Sequence, residues 1–144
     1  EGVLYGEIAS LSSLDINNKF ISLTDGANNY QNRIAVRYTG NVLNEIRAFV
    51  FVGNVLQCNF TYSVPDDEDF LKFAFKYKEN DFAFYVNGVQ IGTDNSGVTF
   101  SPNTLGVFTF SEILVGAGSF YGKVNNLRIK NTILTDAELI TLTS

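Results

Sequence analysis

The sequence predicts an all-β protein: an antiparallel β-sandwich closed by one short C-terminal α-helix. Three observations predict it. Apolar and polar residues alternate with a period of two in stretches such as "RIAVRY" (33–38) and "FAFKY" (73–77), the pattern of half-buried strands. Gly-Asn and Asn-Gly pairs, at Gly53-Asn54 and Asn87-Gly88, punctuate the alternation where tight hairpins would turn. Aromatics reach 14%, and 13 of them are Phe, a residue that fits a pleated surface. The 144 residues are one domain's worth, so residues 1–144 read as a single unit. A hydrophobic fraction of 45% lets such a unit fold without covalent staples. Cys58 has no possible partner within the chain and reads as a small buried hydrophobe.

The elements follow in order. Val3 to Ala9 reads as a strand, Leu11 to Asn18 as a polar, turn-rich link, and "KFISLT" (19–24) as a second strand ended by "DGANN". "RIAVRY" puts Arg33, Ala35 and Arg37 on its outward face. In "FVFVGNVLQCNF" the turn sets Val52 against Val55 and Phe51 against Leu56; continued without a break, it sets Phe49 against Cys58 and Arg47 against Phe60. The expected core face is then Phe49, Phe51, Leu56, Cys58 and Phe60, with Ala48, Val50, Val52, Val55, Gln57 and Asn59 opposite. In the next unit a turn between Tyr77 and Phe82 sets Phe75 against Phe84 and Phe73 against Val86. Asn87-Gly88 then sets Val86 against Val89 and Phe84 against Ile91. The aromatics of this unit form core, and Lys72, Ala74, Lys76, Ala83, Tyr85 and Gln90 face the other way. Residues 97–118 read as loop with a short strand at 107–110. The closing strand, "SFYGKVNNLRIKN", loses its alternation at Asn125-Asn126, which predicts a β-bulge. Thr135 and Glu138 form the signature of a capping box, starting a helix that packs Leu139 and Leu142 on the sheet.

Composition narrows function. A net charge of −5 offers no basic stripe for nucleic acid, and no apolar run approaches the roughly 20 residues of a membrane-spanning helix. The chain contains no His, which removes Ser-His-Asp and Cys-His catalysis and ordinary zinc ligation. It also lacks Met, even at its start, and so reads as part of a longer or processed polypeptide. The formal sequon at Asn59–Thr61 falls within a strand beside a core Phe, and no glycosylation is expected there.

Two segments resemble a known family. "KFAFKYKENDFAFYVNGVQIGTD" (72–94) and "YGKVNNLRIKNTILTDAELITL" (121–142) resemble the central hairpin and the ending of concanavalin A-like (laminin G-like, pentraxin-like) jelly rolls. They are most similar to versions near the C-termini of bacteriophage tail fibres and related virion or surface proteins. The resemblance implies a jelly-roll sandwich, attachment to a glycan or host surface, and a place on a virion or extracellular surface. Relatives often hold Ca²⁺ at a loop rim, for which Asp25, Asn28, Asn80, Asp81, Asp94 and Asn95 supply oxygen donors, all of them also ordinary turn residues.

Glycosidases of the superfamily present paired carboxylates on one strand. No strand here does, and the acidic run Asp66–Asp69 follows Pro65 in a turn, so no enzyme is expected. The outward faces instead offer one aromatic ring with hydrogen-bonding neighbours: Tyr85, Arg33, Arg37, Lys76, Gln57 and Asn59, a candidate set for a carbohydrate. The same residues also suit a solvated sheet face or, with the small Ala35, Ala48, Ala74 and Ala83, a surface against another chain or domain. The expected function is a non-enzymatic adhesion module recognising cell-surface carbohydrate. The alternative is a structural module of a virion protein, trimeric in its fibre, with no ligand of its own.

Overall fold

The computed structural model describes residues 1–12, 16–113 and 118–144. Ten strands run β1 (Gly2–Ser10), β2 (Lys19–Thr24), β3 (Arg33–Tyr38), β4 (Glu45–Val52), β5 (Val55–Ser63), β6 (Leu71–Tyr77), β7 (Phe82–Val86), β8 (Val89–Asp94), β9 (Val107–Thr109) and β10 (Gly122–Lys130), followed by helix α1 (Asp136–Thr143). They form two antiparallel five-stranded sheets: sheet I in the order β10-β1-β6-β7-β8, and sheet II in the order β5-β4-β3-β2-β9. The predicted β-sandwich with a terminal helix is the observed architecture. Parts of two expected loops, residues 13–15 and 114–117, lie outside the described residues.

The core fills the space between the sheets. Sheet I contributes Leu4, Ile8, Phe73, Phe75, Phe82, Phe84 and Val86, and sheet II contributes Ile21, Ile34, Val36, Tyr38, Ile46, Val50, Cys58 and Phe60. Each such side chain contributes about 1.5–3 kcal/mol by leaving water. The β6–β7 register is the one its turn predicts, Phe75 opposite Phe84 and Phe73 opposite Val86, and Val86 meets Val89 beyond Asn87-Gly88. Further along, Tyr85 pairs with Gln90 but Phe84 pairs with Gly92, so Ile91 is an extra residue in β8. The expected Phe84–Ile91 pair is therefore replaced by Phe84–Gly92. The glycine has a reason. The Phe60 ring enters from sheet II and lies where a side chain at 92 would begin, 2.9 Å from a Cβ built there. Phe60 thereby reaches Phe75 and Phe84, at 6.1 Å and 6.4 Å between ring centroids. Val89 lies at the exposed tip of its hairpin, outside the core.

A second bulge overturns one sequence expectation. The β4–β5 turn sets Val52 against Val55 and Phe51 against Leu56 as predicted, but Val50 then pairs with Cys58, leaving Gln57 extra. Asn59 faces Phe49, and Phe60 faces Ala48. Ala48 and Val50 consequently enter the core with Cys58 and Phe60, whereas Phe49 and Phe51 lie on the outer face of sheet II. In "EIRAFVFV" one face is wholly apolar (Ile46, Ala48, Val50, Val52) and the other begins with Glu45 and Arg47; the larger Phe49 and Phe51, and a ladder continued without a bulge, point to the wrong face. The bulge expected at Asn125-Asn126 is present: Glu7 pairs with Asn126 and Ile8 with Val124.

Helix α1 has the expected capping box, with Thr135 Oγ1 accepting from the Glu138 amide and the Glu138 carboxylate accepting from the Thr135 amide. It lies on the outer face of sheet I. Leu139, with Leu134 and Leu142 beside it, covers Val3, Tyr5, Ala74, Ala83 and Tyr85. Among the described residues no helix is long and apolar enough to cross a membrane.

Candidate functional site

The strand register of sheet II builds three rungs on its outer face. Phe20, Arg37, Arg47 and Thr61 form one; Thr109, Ser22, Ala35, Phe49 and Asn59 the next; Val107, Thr24, Arg33, Phe51 and Leu56 the third. Small residues, Ser22 and Ala35, occupy the middle. Phe20, Phe49 and Phe51 stand around them, with Phe20 and Phe49 edge-to-face at 6.3 Å and Phe49 and Phe51 at 5.7 Å. Arg33, Arg37 and Arg47 lie over these rings. Arg33 is 4.1 Å from the Phe51 centroid, Arg37 is 5.3 Å from Phe20, and Arg47 is 5.4 Å from Phe49. A guanidinium held flat on a ring keeps its edge free for bidentate bonding to a carboxylate.

The three cations differ in how far they are satisfied. Arg33 is buried; it donates to the Tyr30 carbonyl and pairs with Glu112 at 3.4 Å. Burial holds its pKa below the ordinary arginine value, and Glu112 works the other way. Arg47 donates through Nε to Asn59 Oδ1 at 2.5 Å. Arg37 is half-buried, and its Nε has no partner among the described residues. Burial and the neighbouring Arg47 both lower its pKa, while Glu112 and Glu45 raise it. Arg37 and Arg47 are thus adjacent like charges, partly withdrawn from water, with no carboxylate bound to either among the described residues. The segment after β9 flanks this face on two sides: Glu112 reaches Arg33, and Gly118 lies so close over Phe20 that a Cβ there would be 2.5 Å from the ring. Its two ends are joined by the bond from the Phe120 amide to the Phe110 carbonyl.

The six residues singled out in the sequence do not form one site. Arg33, Arg37 and Asn59 come together on the outer face of sheet II. Tyr85 and Lys76 belong to sheet I, on the opposite side of the sandwich. Tyr85 is fully buried beneath α1, and Lys76 pairs with Asp81 at 2.6 Å and Asp136 at 3.3 Å, tying the helix to the sheet. Gln57 is the bulge residue; it accepts from the Val98 amide and donates to the Val55 carbonyl, bracing an edge. Arg47, Phe20, Phe49 and Glu112 are site members that the sequence reading misses. The first and third were hidden by the bulge, whereas Phe20 and Glu112 carry no local signal, because only the folded chain brings them beside Arg37.

The expected calcium donors are largely committed to turns. Asp25 accepts from Ala27 and Asn32, Asp94 from Ser96, and Asn80 from Gly97, while Asp81 pairs with lysines. Among the described residues no three His, Cys, Asp or Glu side chains are placed to hold a metal ion. A separate cavity of about 490 Å³ opens at one end of the sandwich, where Leu23, Tyr77, Phe100, Leu105 and Phe108 form an apolar lining. Its one charged lining residue is Glu1.

No family model and no curated protein matches the sequence. Solved structures do match in fold. The CBM40 module of the Ruminococcus gnavus IT-sialidase superposes with a TM-score of 0.74 at 15% identity, covering 99% of this chain and 82% of that one. The same module has been solved bound to alpha2,6 sialyllactose, and matches at 14% identity and a TM-score of 0.74 over the same shares of the two chains. A SAP-like pentraxin from Limulus polyphemus matches at a TM-score of 0.68 and 14% identity, covering 99% of this chain and 69% of that one. The protein has a concanavalin A-like fold. A leech intramolecular trans-sialidase contains this concanavalin A-like fold too; the match has a TM-score of 0.66 at 17% identity and spans 99% of this chain but 23% of the enzyme. The fold therefore occurs both in carbohydrate-binding modules and within larger enzyme chains.

Proposed function

We propose that the protein is a non-enzymatic carbohydrate-binding module whose site is the outer face of sheet II, and that its ligand carries a carboxylated sugar. The observation that carries this reading is the Arg37–Arg47 pair: two adjacent guanidiniums over aromatic rings, partly withdrawn from water, with no carboxylate paired to either among the described residues. A sugar carboxylate seated between them would remove the repulsion between the two cations. The apolar edges of Phe20 and Phe49 suit the C–H face of a pyranose. The sialyllactose-bound CBM40 supports the same class of ligand on the same fold. The resemblance of residues 72–94 and 121–142 to phage tail-fibre modules supports a setting on a virion or other surface protein, attached to a host cell through this glycan.

The test is titration calorimetry of the purified protein with α2,6-sialyllactose and with lactose, repeated for Arg37→Ala and Arg47→Ala. We expect saturable binding of the sialylated sugar only, weakened about 10- to 100-fold by either substitution, as loss of a charge-assisted hydrogen bond predicts. Equal binding of lactose, or binding unaffected by both substitutions, would sink the reading.

A second reading has its own observation. Leu11, Ile16, Val42, Leu43, Phe70 and Tyr121 are all exposed apolar residues at one end of the sandwich, where β1, β3 and β5 finish and β2, β4, β6 and β10 begin. Clustered exposure of this kind suits contact with other parts of an assembly, including a trimer of the same chain. A concentration-dependent trimer mass in sedimentation, lost on Leu43→Asp with Phe70→Asp, would favour it.

A further inference from the structure

We propose that Glu112 limits the ligand to a single negative charge, acting as the acidic wall of the Arg37–Arg47 site; this rests on the carbohydrate reading above. Three observations lead to it. First, Glu112 is bonded to Arg33, at 3.4 Å, and so removes the third guanidinium of the face from the set available to a ligand. Arg33 is also held by the Tyr30 carbonyl and stacked on Phe51, so its place in the packing is already defined without a ligand. Second, the influence of Glu112 extends past its own partner, since its charge acts on Arg37 as well. Third, Arg33 and Arg37 lie on the same side of β3, four residues apart, with the single rung of Ala35 and Phe49 between them. A ligand bound to Arg37 and Arg47 that extends across that rung therefore meets a carboxylate that is already in place.

The charge count follows. Arg37 and Arg47 bring two positive charges, and one ligand carboxylate bridging them is bound with favourable Coulomb energy. A second anionic group on the same sugar ring meets Glu112 in a partly desolvated setting, where like charges repel far more than in water. Discrimination of this kind comes from a repulsive element, and a purely basic face lacks one. Without Glu112 the same surface would present three guanidiniums and would favour sulfated or phosphorylated sugars.

The experiment compares N-acetylneuraminic acid with its 9-phosphate, by calorimetry, on the native protein and on Glu112→Gln. The Gln amide oxygen keeps the bond to Arg33 while removing the charge. We expect the native protein to bind the monoacid at least about tenfold more tightly than the phosphorylated sugar, and Glu112→Gln to erase or reverse that preference. A circular dichroism spectrum and thermal melt matching those of the native protein report that the variant is folded. Equal preference in the native protein, or an unchanged preference in Glu112→Gln, would overturn the proposal while leaving the carbohydrate reading standing. Failure of both sugars to bind the native protein would overturn both together. A variant that binds neither sugar while the native protein binds the monoacid would show that Glu112 builds the site instead of filtering charge, and would equally overturn the proposal.

Discussion

Arg37 shows how a side chain becomes poised by what surrounds it. Its guanidinium lies on Phe20, its cross-strand neighbour is a like charge, and its Nε points to no acceptor among the described residues. A lysine there would lose the planar edge and the stacking, so Arg37→Lys is expected to weaken glycan binding nearly as much as Arg37→Ala, measurable in the same titration. Asp67 poses a different problem at the same scale. It is buried, one carboxylate oxygen lacks a partner among the described residues, and burial raises its pKa above the ordinary 3.8, with Lys19 opposing that rise. A carboxylate whose folded pKa is raised costs stability once ionised. The cost is absent below the unfolded pKa and grows as pH rises from there toward the folded one, so it is present at neutral pH. Asp67→Asn should therefore raise the melting temperature at pH 7 relative to native and lose that advantage at pH 3. An advantage independent of pH would refute the assignment. Ser22 is simpler: its buried hydroxyl has no partner among the described residues, so Ser22→Ala should be neutral or stabilising by about 1 kcal/mol in denaturant unfolding.

At the scale of the element, a bulge decides which residues meet. Gln57 shifts β5 by one position between Leu56 and Cys58, and this alone returns Phe49 to the outer face while Cys58 and Phe60 stay inside. Deleting Gln57 would leave Leu56 and Cys58 adjacent in an unbroken ladder. Such a variant should fold with its core unchanged, losing only the bonds to Val98 and Val55, whereas deletion of Asn59 should flip the rest of β5 and abolish folding. Circular dichroism melts of the two deletions distinguish these outcomes. The same bulge marks the limit of what alternation can reveal. "RIAVRY" and "FAFKY" are two-faced, so their inward and outward sets were legible from the residues alone. In "EIRAFVFV" Phe49 and Phe51 share a side with Glu45 and Arg47, and the irregularity in the partner strand hides that this side faces outward. The helix was legible because its cap is local: Thr135 and Glu138 lie three residues apart. What the helix covers was not legible, and so Tyr85, which reads as an exposed aromatic in the sequence, is sealed under Leu139. The capping box also predicts a pH effect. Bonds from Thr135 hold the Glu138 pKa below the ordinary 4.5, so its contribution is present above 4.5 and fades as pH falls below it.

Across the whole molecule, closure depends on distant parts of the chain. β1 lies between β10 and β6, so the first strand pairs with the last, and the sheet is complete only when both are present. Pairings this remote in sequence carry a large loop-closure cost and make folding slow, in the millisecond-to-second range or beyond. Removing residues 122–144 should leave β1 with an open edge and uncover Tyr5 and Tyr85, giving a protein that fails to show cooperative unfolding. Net charge is −5, yet the outer face of sheet II gathers Arg33, Arg37 and Arg47, so charge is separated between faces. The core also supplies a gauge of this architecture's integrity. Cys58 sits between the sheets with its thiol pushed up to about 12, chiefly by burial. Only a protein that has come apart can present a thiolate to an alkylating reagent. Because the chain carries no second cysteine, mass spectrometry of the alkylated fraction over time reports the population of the opened sandwich, or its rate of opening where the reagent outpaces reclosing, with no engineered label.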